Sequence, residues 1–313
     1  MRESLARLLE MLADGHELTV PEFGAFSDLD RPAAALVREH WQGLPVATRA
    51  LLLERAGELA DVHLDRNFEA LGKLALDDPE PEVRERAVAV FWESRDSSVA
   101  RRLAVLAVDD IGSGVRAAAA LTLEGFVEAV ETAELDSVTA AAVTSALRTA
   151  ADDPVVGVRA AALEAAGALT QDWVAERILD AYESDERELR VAAIRAMGAS
   201  AQERWTEYLA DQLYSGEVEM RLEAVLAAGA LGSETLVAPL GEALADDDPE
   251  VVLAVIEALG EIGGEAAVDL LNEFAPDAPE GMEEALESAL GLAADMQMFR
   301  RFGEPVADDE DDE

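Results

Sequence analysis

A motif that recurs every 31 residues constrains the fold of this chain more than any other feature of its sequence. Four glycines follow one another at this interval: Gly167, Gly198, Gly229 and Gly260. We call the residue eight positions before each glycine the anchor, and these anchors are Arg159, Arg190, Arg221 and Val252. Four further anchors, at spacings of 31 to 43 residues, are Arg49, Arg84, Arg116 and Glu283. Repetition at a fixed period of about 20 to 50 residues is typical of solenoids, so the sequence predicts eight stacked units.

Each unit is predicted to contain two helices. Six residues before six of the anchors stands a residue whose side-chain oxygen can cap a helix start: Asp78, Asp110, Asp153, Ser184, Ser215 and Asp246. The repeated glycines can close the same helix, because glycine adopts the left-handed conformation found at helix ends. A second segment of each unit is apolar at every third or fourth residue, which predicts an amphipathic helix. One helix pair cannot bury its own apolar stripe, so neighbouring units must stack.

The composition agrees with a helical fold, because 61 of the 313 residues are alanine and only 5% are aromatic. We predict an all-α fold, a right-handed α-solenoid of about eight helix pairs with an N-terminal helical cap. The predicted boundaries are residues 1–44 for the cap, 45–294 for the repeats and 295–313 for an acidic, disordered tail. The 43-residue interval between Arg116 and Arg159 leaves room for about 12 extra residues near 127–138.

The clearest unit begins Asp-Asp-Pro at residue 152 and continues through Val-Arg at 158–159 into three alanines. This pattern resembles the HEAT repeat, in particular the short PBS-lyase HEAT-like form, whose consensus carries Asp, Pro, Val-Arg, paired Ala and a closing Gly. The resemblance covers residues 45 to 294 and says little about function, because the repeat serves many roles. It implies that the anchor arginines pair with acidic groups or carbonyls of the adjacent unit. The predicted structural ladder consists of Arg84, Arg116, Arg159, Arg190 and Arg221.

The reactive side chains of the chain argue against catalysis. There is no cysteine, and the three histidines are His16, His40 and His63. Helical-repeat hydroxylases similar to deoxyhypusine hydroxylase need several His-Glu pairs to bind two irons, whereas this chain has one, at residues 16–17. Consecutive aspartates such as Asp152 and Asp153 recur at the turn before a helix, which favours a capping role. We therefore predict a protein that is not an enzyme and holds neither metal nor cofactor.

The charge of the chain narrows the classes of partner. The formal net charge is −43, and only one of the 24 basic residues, Lys73, is a lysine. Binding of nucleic acid depends on lysine and arginine to displace counterions, so nucleic acid is not an expected partner. The longest run without a charged residue is 11 residues, from 137 to 147, which is too short to span a membrane. The N-terminus lacks the pattern of a secretory signal, so we expect a cytoplasmic monomer.

One face of the repeats is a candidate surface for a protein partner. The positions one and five residues after the anchor are predicted to point outward, because positions two, three, six and seven carry small residues that are predicted to be buried. The candidate partner-binding residues at these positions are Glu164, Val191, Arg195, Leu222, Leu226, Leu253 and Glu257. Three successive aliphatic residues with acidic neighbours favour a contact surface. The alternative is that neighbouring helices bury these aliphatic side chains.

The sequence therefore predicts a non-enzymatic scaffold or adaptor that binds a basic protein partner on an acidic, partly apolar, concave face. From residue 222 to 299 there are 18 acidic residues and no lysine or arginine, which would attract such a partner. A lyase-like or chaperone subunit that assists modification of a client protein, similar to phycobilin lyase subunits, is one alternative. A third reading is that the acidity is only an adaptation to high salt.

Overall fold

A computed structural model describes residues 2–62 and 66–303, and all regular secondary structure within these ranges is helical. The chain divides into two compact units, Met1–Leu169 and Thr170–Glu313. The helices of the first unit are α1 (Arg2–Ala13), α2 (Val20–Phe23), α3 (Arg31–Trp41), α4 (Val46–Val62), α5 (Glu69–Ala75), α6 (Pro81–Ala89), α7 (Ser97–Asp109), α8 (Ser113–Thr122), α9 (Glu124–Glu131), α10 (Ser137–Ala150) and α11 (Val156–Ala166). Those of the second unit are α12 (Asp172–Tyr182), α13 (Arg187–Ala199), α14 (Thr206–Gln212), α15 (Val218–Leu231), α16 (Val237–Ala243), α17 (Pro249–Ile262), α18 (Glu265–Phe274) and α19 (Glu283–Gly303).

The predicted all-α architecture of stacked helix pairs is confirmed. In the first unit the anchor-bearing helices α4, α6, α8 and α11 pack side by side in chain order. In the second unit α13, α15, α17 and α19 do the same, and α12, α14, α16 and α18 each pack against the anchor-bearing helix that follows. The apolar residues that face the neighbouring helix, such as Ile194, Val225 and Ile256, are fully buried. Each helix pair thus hides its apolar stripe against its neighbours, as expected for a repeat array.

The anchor-bearing helices begin two residues later than the sequence predicts. Asp110 does not act as the N-cap of α8, because its Oδ1 accepts a hydrogen bond at 2.8 Å from the backbone N–H of Gly112, and Gly112 is the N-cap itself. Asp153 makes the same turn before α11, with the N–H of Val155 at 2.9 Å. Asp and Ser side chains favour such local turns, in which they bond to the backbone two residues ahead. The prediction of these residues as N-caps is therefore wrong.

The repeated glycines also have a different role from the one predicted. Gly198 and Gly260 lie inside α13 and α17, and the glycines that directly follow α15 and α17, with positive φ, are Gly232 and Gly263. A Cβ atom on Gly198 would lie 2.7 Å from the Cα of Ala227 on α15. The glycines recur because adjacent helices approach each other closely at these points, and a side chain would push the helices apart.

The extra residues after Arg116 form additional helix rather than a long loop. The chain bends at Leu123 and continues as α9, then reverses at residues 132–136 into the 14-residue α10. Ala133 in this turn has a positive φ of 58°. α10 packs against both α7 and α11, so the insertion is part of the stack.

The two ends of the repeat array differ from each other. At the N-terminal end, α1 packs on α3, and the side chain of Asp30 caps α3 by accepting a hydrogen bond from the N–H of Ala33. At the C-terminal end, Glu287 occupies the position that Ile194, Val225 and Ile256 hold in the preceding units, and it is exposed. A charged side chain in the column of buried aliphatic residues ends the apolar stacking surface.

The predicted boundary of the acidic tail is wrong for residues 295–303, because α19 continues to Gly303. This segment contains no proline, and methionine, glutamine and arginine are good helix formers. Residues 304–313, which carry the acidic run of the predicted tail, lie outside the described residues.

Candidate protein-interaction face

Two anchor arginines of the first unit, Arg84 and Arg116, each connect two consecutive repeats. Arg84 donates from Nε and Nη2 to the two carboxylate oxygens of Asp110, both at 2.7 Å, and from Nη1 to the backbone oxygen of Asp78 at 2.7 Å. Arg116 repeats this arrangement with Asp153, at 2.7 and 3.0 Å, and with the backbone oxygen of Asp110 at 2.8 Å. Each arginine thus binds the turn before its own helix and the turn of the next repeat.

The first anchor makes a more deeply buried version of this contact. Asp78 Oδ2 accepts hydrogen bonds from Arg49 Nη1 and from the indole N–H of Trp41, both at 2.6 Å. The side chain of Asp78 is fully buried, and that of Arg49 is nearly so. This three-residue contact joins the N-terminal cap to the first repeats.

We call an anchor arginine together with its bonds to the turn before its own helix and to the next turn a rung of the ladder. Among the described residues of the second unit, one rung is complete and one is incomplete. Arg221 donates to Asp246 at 2.6 and 2.8 Å and to the backbone oxygen of Ser215 at 2.9 Å. Arg190 keeps the bond to its own turn, but the residue that would accept its other bonds is Ser215 rather than an aspartate. Its Nη2 lies 3.7 Å from Glu217 instead. A serine has no second oxygen to receive the guanidinium fork, so this rung is weaker.

The remaining ladder residue, Arg159, donates from Nη1 to the backbone oxygens of Asp153 and Pro154 at 2.9 and 3.3 Å. Hydrogen bonding to Arg116 and Arg221 holds the pKa values of Asp153 and Asp246 below their ordinary value. The paired carboxylates and guanidinium groups neutralise each other, so these rungs do not present a free row of positive charge.

The candidate partner-binding residues of the second unit lie on the anchor-bearing helices α13, α15 and α17. Leu226 and Leu253 are exposed, at 49% and 37% of their surface. Val191 and Leu222 are half-buried, so neighbouring side chains cover part of these two residues. The exposure of these four side chains therefore differs along the row. We call the surface formed by Val191, Arg195, Leu222, Leu226, Leu253 and Glu257 the 191–257 face.

A buried glutamate on this face was not predicted from the sequence. Arg195 donates from Nε and Nη2 to the two carboxylate oxygens of Glu223, at 2.8 and 2.6 Å, and thereby joins α13 to α15. Glu223 is buried, and it stands where the neighbouring units have Ala192 and Ala254. The sequence does contain a signal for this buried glutamate, because it occupies a repeat position at which the neighbouring units carry alanine. Because of this pair, the positive charge of Arg195 is compensated on the 191–257 face.

A row of exposed glutamates beside the aliphatic residues was also missed. Glu188, Glu219 and Glu250 recur at 31-residue intervals, three positions before Val191, Leu222 and Leu253 respectively. Residues three apart lie on the same side of a helix. Glu219 forms an ion pair with Arg187. The 191–257 face is therefore bordered by an acidic row that continues from helix to helix.

Glu164 lies on α11 in the first unit and is half-buried. Desolvation and the nearby carboxylate of Glu164 raise the pKa of Glu124 on α9. Glu164 thus contributes negative charge to α11, within its own unit.

Two of the three histidines, His16 and His40, lie in the described part of the chain. His16 Nδ1 lies 3.2 Å from the backbone oxygen of Met11, and His63 lies outside the described residues. Within residues 2–62 and 66–303, no three His, Asp or Glu side chains are grouped so as to hold a metal ion. Over the same ranges, none of the helices combines the length and the apolar character that a membrane span needs.

Stacked helix pairs joined by a row of anchor arginines define the class of α-solenoid repeat proteins. The family model for HEAT repeats matches residues 206–291, which include α14 to α18 and part of α19. This segment of the chain therefore matches the HEAT-repeat family. Proteins of this class generally mediate protein–protein interactions.

Several solved structures are similar to this chain at low sequence identity. They include YibA from Escherichia coli (15% identity, TM-score 0.47, 92% of this chain and 96% of that chain covered). Human deoxyhypusine hydroxylase has 21% identity and a TM-score of 0.36, with 94% and 97% covered. Importin beta has 14% identity and a TM-score of 0.38, with 98% of this chain but 53% of that chain covered. A search of curated proteins gave no significant match. Likenesses at this level carry no information about function.

Proposed function

We propose that this chain is a non-enzymatic scaffold that binds a basic segment of a partner protein on the 191–257 face. The observation that carries the proposal is the combination of exposed aliphatic residues with one-signed charge. Leu226 and Leu253 are exposed in a part of the sequence, residues 222 to 299, that has 18 acidic residues and no basic ones. Exposed apolar surface bordered by charge is typical of a contact site.

Binding would proceed in two physical stages. The negative potential of α17, which carries the exposed Glu250 and Glu257, attracts a basic segment over distances comparable to the Debye length, about 10 Å at 0.1 M salt. The partner's apolar side chains then displace water from Leu226 and Leu253. Apolar burial contributes most of the affinity, whereas the charges mainly raise the association rate and select against acidic partners.

Site-specific photo-crosslinking in native lysate tests this proposal. Amine-reactive reagents are poorly suited, because Lys73 is the only lysine of the chain. A photoreactive residue at position 226 should capture a basic protein, and the same residue at position 105 should not. Val105 on α7 is a matched control, because 46% of its surface is exposed, against 49% for Leu226.

The captured complex should then respond to two further variants. Glu257→Lys is expected to weaken capture several-fold, whereas Glu207→Lys, an equal change of charge at an exposed position on α14, should have a smaller effect. Capture of the same proteins from positions 226 and 105, or capture of acidic proteins, would reject the 191–257 face as the binding site.

A further inference from the structure

The 191–257 face repeats one arrangement on three adjacent helices. Each helix presents positions i, i+3 and i+7 on the same side. On α13 these are Glu188, Val191 and Arg195; on α15 they are Glu219, Leu222 and Leu226; on α17 they are Glu250, Leu253 and Glu257. Because α13 packs on α15 and α15 on α17, the three sets form rows that cross the helices.

The spacing between these rows selects the conformation of the partner. Axes of packed helices are about 8–10 Å apart. Side chains on one side of an α-helix return after seven residues, a rise of about 10.5 Å. On one side of an extended strand, side chains recur every two residues, so they lie about 6.6 Å and then about 13 Å from the first one. A helix lying across α13, α15 and α17 therefore places one apolar side chain over each of them, and an extended strand does not.

The charges on the 191–257 face are unequal along this direction. Over α13, Arg195 lies among the acidic residues, and over α15, Glu219 is paired with Arg187. Over α17, Glu250 and Glu257 are both exposed, and no lysine or arginine occurs between residues 222 and 299. The attraction for positive charge is consequently greatest at α17.

We propose that the partner segment is an amphipathic α-helix with apolar residues at seven-residue intervals across α13, α15 and α17, and that its most basic end lies over α17. This inference rests on the proposed function and specifies the class of partner for the same face. It differs from the proposed function in requiring a helical partner and a defined orientation.

Synthetic peptides test the inference without knowledge of the natural partner. The first is a labelled peptide of about 21 residues, or three heptads, with leucine at every seventh position and arginines concentrated at one end. The second has the same composition but places the leucines at alternate positions, as in a strand. Binding to the full chain is measured by fluorescence anisotropy. The heptad peptide is expected to bind at least about tenfold more tightly than the permuted one.

Variants of the chain separate failure of the inference from failure of the proposed function. Leu226→Asp should weaken binding of the heptad peptide at least about tenfold, while Val105→Asp should leave it unchanged. If the permuted peptide binds as well as the heptad peptide and binding of both depends on Leu226, the helical partner is rejected. The 191–257 face then remains the proposed binding site. If the heptad peptide binds and Leu226→Asp has no effect, both the inference and the proposed face are rejected. If neither peptide binds, the inference is overturned, and the crosslinking experiment still decides the proposed function.

The orientation has its own readout. A benzophenone group at the arginine-rich end of the heptad peptide should label residues 249–262 of α17. Labelling of residues 187–199 on α13 instead would overturn the assigned direction.

Discussion

Arg116 and Asp153 are joined by two hydrogen bonds, Nε to Oδ2 at 2.7 Å and Nη2 to Oδ1 at 3.0 Å, although 37 residues separate them in the chain. Their side chains are only 13% and 9% exposed. The same arginine binds the backbone oxygen of Asp110, so it links α8 to the turns on both sides. Contacts of this kind hold successive repeats of the first unit in register.

Replacing Arg116 should therefore destabilise the fold. Arg116→Met leaves the carboxylate of Asp153 largely buried without its partner, and we expect the free energy of unfolding to fall by about 2–3 kcal/mol. Urea denaturation followed by circular dichroism measures the change. Arg86→Met is the control, because Arg86 and Glu54 form an exposed pair (43% and 44%) that should contribute less than about 1 kcal/mol. Equal losses for the two variants would contradict a special role for the ladder.

The incomplete rung at Arg190 can be completed by substitution. Ser215→Asp supplies the two oxygens that Asp246 offers to Arg221, and we expect a gain of about 0.5–1 kcal/mol in the free energy of unfolding. The reciprocal change, Asp246→Ser, should lower it by about 1–2 kcal/mol. Denaturant titration of both variants provides the measurement. No gain from Ser215→Asp would show that the geometry at Arg190 does not permit a bidentate contact.

Two glycines in the same column of the repeat should respond in opposite ways to alanine. Gly198→Ala forces a Cβ to within 2.7 Å of the Cα of Ala227, and we expect a loss of about 1–3 kcal/mol. Gly291 on α19 has no atom within 4 Å of the same position, so Gly291→Ala should stabilise the helix by about 0.5–1 kcal/mol. Thermal denaturation of the two variants gives the comparison. A loss at both positions would mean that α19 is also covered by a neighbour.

Stability should decline as the pH falls below about 4. Arg116 and Arg221 lower the folded-state pKa values of Asp153 and Asp246, and hydrogen bonds from Lys73 and Ser98 lower the pKa of Asp96 to about 2. A carboxyl whose pKa is lower in the folded state stabilises the fold above its unfolded pKa, and this contribution is lost as the pH falls through the folded value.

The measurement is urea denaturation at several pH values between about 4 and 2, the window set by these pKa values. The Asp153→Asn, Asp246→Asn double variant should show a shallower decline than the original chain, because two of the responsible carboxyls are absent. Parallel curves would show that other carboxyls cause the acid sensitivity.

The dependence of stability on salt should distinguish recognition from environmental adaptation. Repulsion within the acidic segment 222–299 destabilises the fold, and salt screens it. If screening is the only effect, the melting temperature should rise as salt is first added and level off near about 0.5 M, where the Debye length has fallen to a few ångströms. A melting temperature that climbs steadily into the multimolar range would instead support adaptation to high salt.

The sequence predicted much of the fold because its constraints are local and periodic. Helix propensity, apolar spacing and the 31-residue register identified the helix pairs and the anchor positions. The resemblance to the HEAT repeat also implied that Arg84 and Arg116 would bind a neighbouring repeat. The role of Gly198 as a point of close approach was not predicted, because it depends on where an adjacent helix lies. The role of Asp110 was missed for a local reason, since an aspartate can either cap a helix or bond to the backbone of a turn two residues ahead.

For the candidate face, too, the sequence predicted one part and the tertiary structure decided the other. The 31-residue interval by itself placed Val191, Leu222 and Leu253 in one row, since equivalent positions of a repeat must share an environment. Only the tertiary structure decided that Leu226 is more exposed than Leu222, and that Glu223 is buried against Arg195. Exposure and ion pairing depend on how closely neighbouring helices pack and on which side chains meet across the gap, and these distances are not encoded in the period of the sequence.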